Sequence, residues 1–172
     1  MMNTNLTFLA RVLIFIFIMV YTIIPLLGLF DIWFNSFYST NDYIQHLIPV
    51  FENGKAIRSL FSCIWGAALG GAVLAIISFH NHIAVTKEFD SSHTWGFLLS
   101  PLLTMSIGVI TFLLLNGGFI FLTGNATASS ESQPYGYTLI GFIMGYNWDV
   151  TIKYIEKLSK KIATEKKSQN NN

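Results

Sequence analysis

Three stretches without a charged side chain constrain this chain more than anything else in it. Residues 12–30, 60–79 and 95–130 contain no Asp, Glu, Lys or Arg. The apolar core of a bilayer, about 30 Å thick, is crossed by about 20 apolar residues at roughly 1.5 Å each, and each stretch reaches or approaches that length. The chain has 172 residues, of which 52% are hydrophobic and only 11% charged. Soluble domains carry about 25% charged residues, so these blocks account for the deficit. They predict a polytopic membrane protein. A signal peptide would have an apolar core of about 7–15 residues before a small-residue cleavage site. The first block runs for 19 uncharged residues and ends in LLGLFDIW, which reads as a retained span.

The spans are expected at about 7–30, 59–80, 100–122 and 135–152. Arg11 lies near enough to the first edge to snorkel into the headgroups, and Pro25 falls in the last third of that span, where a bundle can accommodate a kink. In the third block Ser100 and Pro101 suggest a cap and a first-turn proline, and GNATASSESQP after it reads as a loop. The fourth segment has 14 uncharged residues over 135–148 and reaches 18 by including Asp149 to Ile152. Between the first two spans, Ile44, Leu47, Ile48 and Phe51 share one helical face. Trp33, Tyr38 and Tyr43 nearby favour a membrane–water boundary, so a short interfacial helix is expected in this first extracytoplasmic loop.

Loop charges give the orientation. With four spans, both termini and the loop around 80–94 share a side that collects Arg11, Lys87 and six lysines after position 152; the other side has only Lys55 and Arg58. Cytoplasmic segments are enriched in Lys and Arg, so both termini are expected in the cytoplasm, in a multi-pass inner-membrane protein. The fold class is therefore all-α: a transmembrane helical bundle of four spans over 1–163, the last helix running into the cytoplasm, and a polar, disordered tail over 164–172.

Packing signals are concentrated in the second and fourth spans. Ser62, Gly66 and Gly70 recur every four residues, beside a parallel row of Ala67, Gly71 and Ala75, and Gly141 and Gly145 repeat the spacing. Small residues at this interval let helix backbones approach closely in lipid. Two rows exceed what one monomer needs, so one is expected to pack within the subunit and another between subunits of a homo-oligomer.

Few residues could carry chemistry. Asp149 shares a helix face with Tyr137, Gly141, Gly145 and Lys153. An ionisable group within a span is a functional hypothesis by default, with Asn147, Thr111 and Asn116 as candidate polar neighbours. The alternative is a carboxylate that marks where the helix leaves the hydrocarbon, paired with Lys153 one turn on. His80, His82 and His93, with Glu88 and Asp90, resemble a zinc set only in composition, because residues two apart point to different helix faces; a solvated loop is the simpler reading. Lys153, Lys157, Lys160 and Lys161 could attract anionic lipid or dock an acidic soluble partner, and no nucleic-acid-reading module accompanies them. Cys63 is the single cysteine, so no intrachain disulfide forms. With no P-loop, nucleophile elbow or H-E-x-x-H, neither catalysis, a cofactor nor a bound metal is expected.

In size, in four-span topology and in the segment GFIMGYNWDVTIKYIEKLSKK at 141–161, the chain resembles the small KwaA membrane subunits of the Kiwa bacterial anti-phage defence system. That resemblance implies an inner-membrane oligomer that senses infection with a soluble effector subunit and performs no catalysis itself; it carries over no residue roles. Three functions follow for testing: a sensor or interaction subunit, a small oligomeric channel or membrane-permeabilising effector, and a transporter using Asp149.

Overall fold

The computed structural model describes residues 4–35, 37, 38, 42, 46, 54–85, 93–117 and 133–169. Among them there is no strand. The helices are α1 (Thr4–Phe34), α2 (Gly54–His80), α3 (His93–Asn116), α4 (Gln133–Tyr146) and α5 (Trp148–Gln169), and a π-helical turn, Asn81–Val85, continues α2. Among the described residues three segments are long and apolar enough to cross a membrane: Arg11–Phe34, Ala56–Ile83 and Trp95–Asn116.

Small side chains put α2 at the centre. It packs most extensively on α4, then on α3 and α1. Gly66 lies against Thr138 and Gly70 against Phe142, so α2 and α4 run parallel; Gly71 lies against Thr104 but Gly108 against Ile64, so α3 is antiparallel to α2. Gly71 approaches Tyr21 and Gly28 approaches Trp65, which makes α1 antiparallel as well. At one end, Ile32, Phe37 and Ile57 form a buried cluster with Trp33, Phe61 and Trp65 around it. There Arg58 donates a hydrogen bond from Nη2 to the Ile32 carbonyl at 2.6 Å, a cation satisfying the carbonyl end of α1.

The distribution of side-chain size is the reverse of a soluble protein's. Ser62, Cys63, Ala67, Ala68 and Ala72 are fully buried, while Leu13, Ile16, Leu27, Leu98, Leu102 and Leu113 point outward. Contiguous aliphatic surface of this kind would drive aggregation in water. In hydrocarbon it is the ordinary exterior, and the helices are held by close packing instead.

Several boundaries differ from the sequence reading. α3 starts at His93, so Ser100 and Pro101 lie inside the helix and do not begin it. The apolar stretch ahead of them would leave its backbone groups unsatisfied in lipid as a loop, and helix formation resolves that. The fourth segment is two helices, broken at Asn147, and α4 alone has 14 residues. The helix then continues to Gln169, through six residues assigned to the disordered tail, because no Gly or Pro interrupts 146–169 and Glu and Lys are good helix formers. The interfacial-helix residues Ile44, Leu47, Ile48 and Phe51, and the loop 118–132, fall outside the described residues.

Candidate functional site

The seam between α2 and α4 is built from backbone rather than side chains. A Cβ added to Gly66 would strike the Thr138 carbonyl oxygen, and one on Gly70 the Phe142 carbonyl oxygen. In the reverse direction, a Cβ on Gly141 would strike the Cys63 carbonyl oxygen and one on Gly145 that of Ala67. Each glycine therefore aims a Cα–H at a carbonyl across the seam, the geometry of a weak hydrogen bond contributing about 0.5–1 kcal/mol. Two run each way. Ser62 lies in the same row, fully buried, and returns its hydroxyl proton to the Arg58 carbonyl at 2.7 Å.

The second row is occupied as well. Gly71 makes room for a hydroxyl pair: Tyr21 Oη lies 2.6 Å from Thr104 Oγ1, and a Cβ at Gly71 would come within 2.9 Å of that phenol oxygen. Thr104 gives its own proton to the Ser100 carbonyl at 2.9 Å, so Tyr21 is the donor to Thr104. This link between α1 and α3 was not legible, because Tyr21 is one aromatic among many in an apolar block. Ala67 and Ala75 of this row are buried too. The first row is packed against α4 within one chain, while Gly71 and Ala75 of the second also line an open groove beside α3.

The four polar candidates do not converge. Thr111 is fully buried and its hydroxyl has no hydrogen-bond partner. Asn116 is exposed at the end of α3, where neighbouring Phe112 stacks near Tyr137 at the start of α4, and it donates to the Phe112 carbonyl at 2.8 Å. Asn147 and Asp149 lie at the opposite end of α4. Asn147 is exposed and donates to the Ile143 carbonyl at 3.1 Å. Asp149 is paired with Lys153 at 2.8 Å, its side chain 63% exposed.

The expected common face of Gly141, Gly145 and Asp149 fails because the helix is not straight. Thr151 Oγ1 lies 3.0 Å from the Met144 carbonyl, seven residues back. Seven residues of straight helix advance about 10 Å, out of reach of a threonine hydroxyl, so the axis bends at Asn147. Buried Thr151 bridges the bend, bonding the Asn147 carbonyl at 3.1 Å as well. Trp148 takes the inward position and Asp149 turns to the surface. An exposed i, i+4 pair contributes about 0.2–0.5 kcal/mol. Asp149→Asn should therefore shift the thermal melt by a degree or so at most, by about the scale of such a pair, and leave membrane insertion intact; a fall of several degrees would return the acid to the list of structural or functional groups.

What remains is α5. Lys153, Lys157 and Lys160 are exposed, with Lys160 paired to Glu156 at 2.8 Å; Lys161 follows in the same helix. Thr151, Ile155, Leu158 and Ile162 occupy one stripe at 4-3-4 spacing, and the lysines at 153, 157 and 160 fall on the opposite side of the register. At the start of this stripe Thr151 is buried and Ile155 half-buried. Among the described residues no three His, Cys, Asp or Glu side chains gather as a metal site; Glu88 and Asp90 lie outside those residues, and His46 belongs to the connection between α1 and α2.

An inside-out helical bundle with three span-length apolar helices defines a membrane protein. Comparison with known protein families, with curated proteins and with solved structures gives no match.

Proposed function

We propose that the chain is a four-span inner-membrane protein with both termini in the cytoplasm, acting as a sensor or interaction subunit whose α5 docks a soluble partner. The observation that carries this reading is α5 itself. Its 22 residues extend about 33 Å, and Ile152, Lys153, Tyr154, Glu156, Lys157, Ser159 and Lys160 are exposed. A polar helix of some 14 residues is marginal in water on its own. A narrow apolar stripe with lysines behind it suits a single partner helix or groove of acidic character. Read with the resemblance to the KwaA subunits, that partner is the soluble effector of an anti-phage system.

Support for a fourth crossing comes from register. The contacts of Gly66 with Thr138 and Gly70 with Phe142 put 134–151 beside 62–79, within the uncharged stretch of α2, and Trp148 lines the same groove as Leu74 and Ser78. The channel and transporter readings draw on no comparable observation, since the buried hydroxyls do not line a path and Asp149 faces outward.

The test is purification of the tagged full-length chain in mild detergent beside two variants, Ile155→Glu/Ile162→Glu and Lys153→Glu/Lys157→Glu/Lys160→Glu. One soluble acidic protein should co-purify in stoichiometric amount with the wild type and be lost, at least tenfold, from both variants, while all three insert equally. Collapse of the membrane potential when the chain is expressed alone would instead establish a pore.

A further inference from the structure

The bend at Asn147 has a consequence on the far side of α2. α4 covers Gly66 and Gly70, and beyond the bend Trp148 is the residue of α5 that lines the space beside the next turns of α2. This leaves a groove of about 420 Å³ between α2, α3 and the first residue of α5. Its walls are Leu74, Ala75, Ser78, Phe97, Ser100 and Trp148, and Gly96 lies at its edge. It runs alongside 71–78 and 96–103, about 10 Å of helix, which is a large part of one leaflet's hydrocarbon, half of the core's roughly 30 Å. Trp95, 67% exposed, stands at the outer end, where tryptophan prefers the headgroup level.

The structure points to a lipid site: we propose that this groove holds one acyl chain of an anionic phospholipid drawn from the leaflet on the α5 side. The walls are mostly apolar, with only the hydroxyls of Ser78 and Ser100 among them, and the surface around them is aliphatic, which disfavours a water-filled groove. A hydrocarbon chain fits the shape and the solvent. The headgroup then sits where α5 begins, and α5 carries six lysines against three acids; lysines at a membrane surface attract anionic lipid. The same charge disfavours a second copy of this helix at that level through like-charge repulsion. The proposal requires the lysine helix at this end of the bundle and is independent of any soluble partner.

Gly96 supplies the test, because a Cβ placed there meets nothing within 4 Å. A phenylalanine at Gly96 should fill the groove without disturbing the fold. Native mass spectrometry of the full chain in neutral detergent, titrated with phosphatidylglycerol or phosphatidylcholine of matched chains, should show one phosphatidylglycerol retained, at least tenfold more tightly than phosphatidylcholine. Gly96→Phe should lower that retention at least tenfold with an unchanged melt, and Lys153→Gln/Lys157→Gln should bring the two lipids closer together. A second measurement leaves the groove unaltered: brominated phosphatidylglycerol should quench wild-type fluorescence more than that of Trp148→Phe. Equal retention by Gly96→Phe, equal affinity for phosphatidylcholine, equal quenching, or a lipid-free dimer mass would each overturn the site.

Discussion

Replacing Gly66 with leucine should unseat α4 from α2 and cost about 3 kcal/mol, the upper part of the range for forced overpacking, whereas leucine at Gly136 should cost little. The two positions differ in what a side chain would meet. At Gly66 the first carbon alone strikes the Thr138 backbone, which cannot swing away as a side chain can; at Gly136 a Cβ meets nothing within 4 Å. Helix propensity acts in the other direction at both sites, because leucine is favoured over glycine by less than about 1 kcal/mol. Unfolding in a denaturing-detergent titration would read the difference. Gly145→Leu should do similar damage from the other helix, where its Cβ strikes the Ala67 carbonyl oxygen. The double variant Gly66→Leu/Gly145→Leu should then fall well short of the sum, since the first substitution already opens the seam that the second would open. Indistinguishable melts for Gly66→Leu and Gly136→Leu would show that the two backbones do not approach as described. Because Gly66 and Gly145 both lie in the α2–α4 seam, the damage should appear as loss of α4 packing.

The sequence made the solvent legible before anything else. Whether a block of residues can reside in hydrocarbon depends on composition and length, which need no tertiary context, and residues 12–30, 60–79 and, of the block 95–130, residues 95–116 are helix within the three span-length segments. The glycine spacing was equally readable, because close approach requires small residues at regular intervals whatever the partner. Choosing the partner was not possible from spacing. Gly66 and Gly71 lie on adjacent rows of one helix, yet one meets the Thr138 backbone and the other the hydroxyl pair of Tyr21 and Thr104; the sequence contains both rows and neither contact.

Asp149 shows a different limit. Its register with Gly141 and Gly145 is correct for a straight helix, and the inference that it faces α2 follows from that geometry alone. The bend at Asn147 is closed by a hydroxyl bond from Thr151 to a carbonyl seven residues earlier, a contact that spacing rules do not contain, and it exchanges Trp148 for Asp149 on the inner side. Pro101 shows the converse. Local chemistry favours a helix start there, but a start at Ser100 would leave an apolar loop in lipid, and the helix begins at His93 instead. In both places a longer-range requirement overrides a local preference.

Cysteine labelling from outside intact cells should give an all-or-none result that separates four spans from three. Asp42 and Ser159 are both exposed, and the native Cys63 is fully buried, so it should stay silent until the protein is denatured. With four crossings Asp42→Cys lies outside and Ser159→Cys inside. A membrane-impermeant maleimide should then modify Asp42→Cys in intact cells and Ser159→Cys only after lysis. If α4 instead lay along the bundle without crossing, residues 42 and 159 would share a side, and Asp42→Cys and Ser159→Cys would be both labelled or both silent in intact cells. The bilayer's thickness is met only if α4 and the first turn of α5 act as one span: 14 residues of α4 cover about 21 Å, and the remaining distance to about 30 Å is supplied by Asn147 to Ile152. In that arrangement the bend would sit within the added length, with Trp148 inward and Asp149 and Lys153 at the headgroups.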